Sequence, residues 1–248
     1  MEAENHKIEW LEFDLLLEHP DVDAKVFTRH GGTSKGPFFS LNASDNVGDH
    51  PDNVKSNREL IKDIMQVPKL VFANQTHSTD MKRVEGNESR VNADILFTTK
   101  KNVALAITHA DCQAAIIFDP SKKVLALVHA GWKGLVNNIY QTCIEGLKQE
   151  ESCRVEDLIV CISPCLCSDH FEFKDYEKHF PEKYFSFQIK DKHFDFSAMA
   201  KSDLLALGVL EQNIELSGIC NSCNLNDYFS YRNDKKTGRN ATVAYLKS

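Results

Sequence analysis

Three short apolar runs crowd the middle of the chain, and the polar residues between them carry its chemistry. Residues 103–107, 114–118 and 124–128 are unbroken stretches of Val, Leu, Ile, Ala and Phe at strand length, which predicts buried strands. Between the second and third lies Asp119-Pro120-Ser121-Lys122-Lys123, turn chemistry that predicts a hairpin. A two-residue hairpin loop sets Cys112 opposite His129; a longer one, which suits Pro120 better, sets Cys112 opposite Gly131. In either register a thiol and an imidazole converge at one edge of a buried sheet. After Gly131 the apolar positions Leu135, Ile139, Cys143 and Leu147 recur at helical spacing, predicting one helix from Trp132 to about Glu150. Lys133 then stands near a helix N-terminus, where free backbone N–H groups favour an anion.

Upstream, residues 8–17 are apolar-rich, 24–28 and 69–73 read as strands, and 52–65 read as a helix capped by Asp52. The loop 28–37 is glycine-rich and polar. Its paired Gly31 and Gly32 let backbone approach a ligand and Arg29 supplies charge, though a plain surface turn fits the composition equally well. No phosphate-loop register of the G-x-x-x-x-G-K-[ST] type fits it. Downstream, 93–97 and 155–163 predict strands, and the Phe-rich, charged stretch 173–195 a helix and a strand packed over one face. Residues 197–207 read as an amphipathic helix closed by Gly208, and 214–219 and 241–246 as strands. Strands and helices alternate irregularly, with a hairpin among them. That favours an α/β (α+β) sandwich of mixed sheets and helices, a single domain over residues 1–248, rather than a doubly wound parallel fold.

Composition changes this picture little. Hydrophobic content of 42% and charged content of 26% are ordinary for a soluble globular chain. A net charge of −7 argues against nonspecific binding of nucleic acid while leaving room for a local basic pocket. No apolar run approaches the roughly 18 residues that span a membrane, and the acidic start MEAENHKIEW has no apolar leader, so a cytoplasmic protein is expected. There the eight cysteines should stay reduced, as buried thiols or metal ligands. Cys220-x-x-Cys223 has metal-ligand spacing and, with Cys165 and Cys167, could build a four-cysteine zinc site; four separate thiols are the plainer reading. Pro164-Cys165-x-Cys167 lacks the P-C-x-x-C spacing of zinc deaminases, and no H-x-E precedes it. A lone His77 in a polar loop is, by itself, more often a hydrogen-bonding residue than a ligand.

Seven blocks, in order along the chain, carry a resemblance. FTRHGGTSKGPFFSLN (27–42), GDHPDNVKSNRE (48–59), NQTHS (74–78), ADILFT (93–98), HADC (109–112), LVHAGWKGL (127–135) and FSYRNDKKTGRNA (229–241) are similar to the motifs of the YfiH family. It is also called the laccase-domain or purine nucleoside phosphorylase/polyphenol oxidase-like family, and peptidoglycan editing factors are among its relatives. The resemblance implies a YfiH-like fold and one zinc ion per chain, held by His77, Cys112 and His129 from the Q-x-H, A-D-C and H-A-G-W blocks. Two imidazoles and one thiolate leave the fourth tetrahedral position open, the donor count of a catalytic zinc. Zinc would also keep Cys112 deprotonated. Asp111, His109 and Gln75 stand beside these ligands in sequence, where they can orient them, move protons or simply hydrogen-bond. Copper is disfavoured despite the laccase label, because multicopper oxidases rely on H-x-H pairs and the ten histidines here include none.

The implied activity is that of a purine nucleoside enzyme, releasing the base by phosphorolysis, with adenosine deamination as a second activity the resemblance suggests and with nucleoside and phosphate as small-molecule partners. Cys112, Asp111 and His129 are then the catalytic set, Asp111 being a candidate proton acceptor. Arg29, Lys133, Arg232 and Gln75 are the substrate-binding set. The chain departs from the family at His109 for a usual Thr, at the 163–167 block, at 170–173, and at Asn233 for a usual Arg. Metal binding is untouched by these changes; substrate choice and phosphate affinity are the properties they touch. Other readings stand beside this one: an amidase acting on a cell-wall precursor nucleotide, a thiol hydrolase with Cys112 as nucleophile and His129 as base, or a non-catalytic protein stapled by zinc.

Overall fold

Alternation along the central strands decides which core each side chain enters. Leu105 and Ile107 share one buried cluster with Ala114, Ile116, Phe118, Leu125 and Leu127, while Ala104 and Ala106 belong to another. Successive strand residues face opposite ways, so both faces of these strands are covered. The structure, a computed structural model, describes residues 7–248; positions 1–6 of the assigned domain, and with them most of the acidic opening stretch, lie outside it.

Two six-stranded mixed sheets carry the fold. One runs, edge to edge, Trp10–Leu11, Val22–Phe27, Asn240–Leu246, Val103–His109, Lys69–Asn74, Arg90–Asn92. The other runs Ile214–Leu216, Ile159–Ile162, Gln113–Asp119, Val124–Ala130, Ile95–Thr98, Met81–Arg83. The middle core lies between the sheets and draws on both. The outer face of the first sheet packs on helix Pro51–Met65 through Ile61 and Met65. The outer face of the second packs on helices Ile139–Glu151 and Phe196–Ala206. The mixed-sheet sandwich expected from the sequence is the architecture found.

Gln113 pairs with Ala130 and Asp119 with Val124, so four residues close the central hairpin and its register sets Cys112 opposite Gly131. This is the longer-loop alternative. The strand Val103–His109 belongs to the first sheet and Gln113–Asp119 to the second, so Ala110, Asp111 and Cys112 form the crossing between sheets.

Three expectations change in detail. The single helix from Trp132 is two helices, Trp132–Val136 and Ile139–Glu151, broken at Asn138, which takes the left-handed φ of 58°. Asn tolerates that conformation better than most residues, and apolar spacing that runs on past the break hides it. The first helix has only five residues, so Lys133 gains no substantial helix-dipole site. His50, not Asp52, caps helix Pro51–Met65: its Nδ1 accepts from the Asp52 amide, with Pro51 in the first turn. Residues 173–195 form two short helical turns and the small hairpin Gln188–Lys190/His193–Phe194, packed through Phe171, Phe180, Phe194 and Phe196. Gly208 does follow helix Phe196–Ala206, at φ 100°, as its sequence position predicts.

Candidate metal centre and the cavities beside it

The crossing between sheets brings together what the sequence separates. The ligand atoms of His77, Cys112 and His129 all lie within 4.8 Å of one another. Their rings meet edge to face, with the His77 and His129 centroids 4.9 Å apart. Each residue comes from a different piece of sheet. His77 follows the end of Lys69–Asn74, Cys112 ends the crossing, and His129 sits in Val124–Ala130. Gly131 leaves room for them: a Cβ there would lie 3.0 Å from His77 Cδ2 and 3.1 Å from Cys112 Sγ. Gly131→Ala is therefore expected to displace a ligand and weaken metal binding about tenfold or more, read by titration with a competing chelator, with the fold intact.

Asp94 organises this cluster. Its buried carboxylate accepts from His129 Nδ1 at 2.8 Å and from the amides of Thr76, His77 and Ser78 at 3.0, 3.1 and 2.8 Å. Burial opposes its charge, but His129 and the loop amides outweigh burial and hold the acid down at about 2. With Nδ1 bound to Asp94, His129 presents Nε2 as its free donor, the arrangement that fixes a metal-binding imidazole. The three amide bonds hold the His77 loop, whose His77 sits at a left-handed φ of 60°. Burial disfavours a thiolate at Cys112, but the adjacent His129 and His77 imidazoles more than offset it and lower its pKa. His129 is raised by the same partnership with Cys112 and Asp94, against its own burial. The donor set, the oriented imidazole and the space kept by Gly131 fit a bound metal.

Two cavities flank the cluster. One of about 220 Å³ is lined by all three donor residues together with Arg58, Arg90 and Arg239. The other, about 450 Å³, is lined by His77, Cys112, Trp132, Lys133, Phe171 and Arg232, among others. His109 borders the smaller one, buried, with Nε2 2.8 Å from Thr242 Oγ1; burial and the charges of His129 and Arg239 lower its pKa to about 3, leaving it neutral.

Residues 23–247 match the family model described as multi-copper polyphenol oxidoreductase laccase. The chain belongs to that family. Among its relatives in this laccase family are a purine nucleoside phosphorylase of Corynebacterium glutamicum, 32% identical, with 90% of this chain and 94% of that one covered. Another is a purine nucleoside phosphorylase of Campylobacter jejuni, 31% identical over 87% and 99% of the two chains. The fold is that of the Bacillus licheniformis hypothetical protein YfiH, with a TM-score of 0.88 at 26% identity, covering 99% of this chain and 100% of that one. The YfiH resemblance in the motifs is thereby borne out.

Within this laccase-family fold the other expected residues scatter. Lys133 and Arg232 line the larger cavity. Gln75 lines the smaller one, but its amide is spent on the neighbouring strand, donating to Thr108 O at 2.6 Å and accepting from Thr108 N at 2.9 Å. Asp111 touches the larger cavity and accepts from Ser230 Oγ at 2.7 Å and the Arg232 amide; burial raises its pKa against those bonds. Arg29 lines neither cavity: it donates to Phe39 O and Leu225 O and stacks on Phe229. Sequence reasoning missed Asp94, Arg58, Arg90 and Arg239. All but Arg90 stand inside the quoted motif blocks, which was the available signal.

The proposed four-cysteine group is also revised. Cys165 turns away, its Sγ 3.4 Å from Ser197 Oγ, and His170 joins Cys167, Cys220 and Cys223 instead. Among the described residues no helix is long and apolar enough to cross a membrane.

Proposed function

We propose that this chain is a zinc-dependent purine nucleoside enzyme that works as one domain and cleaves nucleosides by phosphorolysis. The observation that carries the reading is a Cys/two-His cluster standing between an arginine-lined cavity and a larger, partly aromatic one. His77, Cys112 and His129 would hold the metal, which supplies Lewis acidity toward a substrate oxygen when bound. Phosphorolysis needs a site for a small polyanion beside a site for a flat base and its ribose. Arg58, Arg90 and Arg239 supply three guanidiniums to the smaller cavity, offset by Asp45, which pairs with Arg58 and Arg90. Arginine suits phosphate because its fork gives paired, charge-assisted bonds. Trp132, Phe171 and Phe196 offer apolar walls for a base in the larger cavity, with Lys133 at its edge. The names of the Corynebacterium and Campylobacter relatives support the same substrate class. Eight free cysteines support a reducing, cytoplasmic setting.

The test is incubation of purified protein with inosine or adenosine, with and without phosphate. Ribose 1-phosphate formed only with phosphate supports the reading. Release of ammonia from adenosine would add the deaminase activity. Cleavage of a muramyl amide without nucleoside turnover would replace the reading with the amidase. Arg90→Ala, the least enclosed of the three arginines, is expected to raise the KM for phosphate at least tenfold, since a lost charge-assisted bond costs about 1.5–3 kcal/mol. Lys133→Ala should instead raise the KM for the nucleoside. The reverse pattern would move phosphate to the larger cavity.

The paired Cys112 and His129 favour one further reading, a thiol hydrolase. Chelation separates the two: a thiol enzyme keeps its activity without metal and loses it to alkylation.

A further inference from the structure

Away from the cavities, Cys167, His170, Cys220 and Cys223 form a second group of donors, all within 4.8 Å of one another. We infer that these four residues bind a structural zinc ion that pins two loops together behind the wall of the larger cavity. Their spacing is the first reason. Zinc–sulfur bonds of about 2.3 Å and zinc–nitrogen bonds of about 2.0–2.1 Å, set tetrahedrally, imply S···S separations of about 3.8 Å and S···N separations of about 3.6 Å. The distances from His170 Nδ1 to the sulfurs of Cys167, Cys220 and Cys223 are 3.4, 3.6 and 3.5 Å, and the Cys167 and Cys223 sulfurs are 3.9 Å apart.

Hydrogen bonding cannot account for that arrangement. A ring nitrogen has one lone pair or one proton and serves one partner at a time. Three sulfurs gathered around a single Nδ1 therefore leave at least two without a bond to it, whereas a shared cation satisfies all four donors. The backbone is shaped for the same end. Each pair of ligands is three residues apart, Cys167 with His170 and Cys220 with Cys223, and each spans a tight turn: the His170 amide donates to Cys167 O at 3.0 Å, and the Asn224 amide to Cys220 O at 3.1 Å. The Cys167 amide donates to Cys220 Sγ at 3.3 Å, a contact that stabilises a metal-bound thiolate. A four-donor set with three thiolates has no open position, so the site is structural. Thiolate-rich tetrahedral ligation selects zinc over the oxygen-seeking divalent ions.

The two loops lead into the larger cavity. Leu166 and Phe171 flank the first pair of ligands, and Tyr231 and Arg232 follow the second; all four line that cavity. Asn233 donates to Ser222 O and Oγ at 3.1 and 3.0 Å, tying the cavity loop to the ligand loop. Cys167, His170 and Asn233 thus fall together in space, on this one knot, whereas His109 lies apart beside the smaller cavity.

The experiment counts zinc by elemental analysis in full-length Cys112→Ser protein, purified without added metal. That substitution removes the thiolate of the first cluster, so nucleoside turnover plays no part and failure here leaves the proposed activity standing. About one zinc per chain is expected, and none once Cys223→Ser is added. Cobalt(II) exchanged into the single variant should give thiolate charge-transfer and tetrahedral d–d absorption, both lost in the double variant. Cys223 is exposed, so its serine variant should fold. Should it not, thiol labelling of the single variant decides: at least tenfold faster labelling after chelation is expected. Absence of zinc from Cys112→Ser, full zinc in the double variant, labelling indifferent to chelator, or a Cys167–Cys223 disulfide in the reduced preparation would each overturn the site.

Discussion

Cys112→Ser is expected to lose nucleoside turnover to the limit of detection and one metal ion per chain, while its circular dichroism stays that of the parent. A serine hydroxyl is a far poorer zinc donor than a thiolate at neutral pH, and the remaining pair of imidazoles cannot close the site. The fold should survive because the cluster sits at the end of the strands, not among the residues that bury them. Leu105, Ile107, Ile116, Phe118 and Leu127 form a core that does not include the ligands. Elemental analysis beside a nucleoside assay reads both effects at once. Undiminished turnover would remove Cys112 from the proposed mechanism altogether.

Asp94→Ala should show the opposite balance, with the largest loss of stability of any single substitution near the site. The side chain is wholly buried and takes bonds from three loop amides and one imidazole. Removing it leaves those donors without partners in a place water does not reach. Breaking a buried charged pair in this way costs about 3–5 kcal/mol, measured by urea unfolding of metal-free protein. Asp94→Asn keeps the shape and one acceptor. It should recover much of the stability yet still bind metal about 10–100-fold more weakly, because the amide no longer fixes His129 as a carboxylate does. Equal stability of Asp94→Ala and the parent would mean that the His77 loop holds itself.

How far the sequence could be read depended on whether a feature was local. The hairpin was legible from its apolar runs and turn residues, and Pro120 favoured the longer of two loops; the four-residue loop found sets Cys112 opposite Gly131. The break at Asn138 was not, because Leu135, Ile139 and Cys143 keep their spacing across it and one left-handed residue leaves no trace in periodicity. Asp94 stood in plain view at the head of an apolar strand. A lone acid there needs a partner, but that partner, His129, is thirty-five residues away. The arginines were illegible for a similar reason: Arg58 lies on a helix, Arg90 on an edge strand and Arg239 beside the last strand, and only the sandwich gathers them. His170 is silent for the same reason, since nothing in its own segment tells that Cys220 and Cys223 will arrive beside it.

One asymmetry in the first cluster bears on which metal it would carry. His129 is buried, but His77 is exposed and borders both cavities, so the ligands are open to solvent in the finished fold. An ion can therefore enter or leave without unfolding, and loading is decided by supply and intrinsic affinity rather than by the folding reaction. Nitrogen and thiolate donors hold copper more tightly than zinc in the general order of divalent metals. Protein made in copper-supplemented medium should then be recovered with copper in this position. Oxidase activity in such a preparation would be a property of the growth medium as much as of the chain.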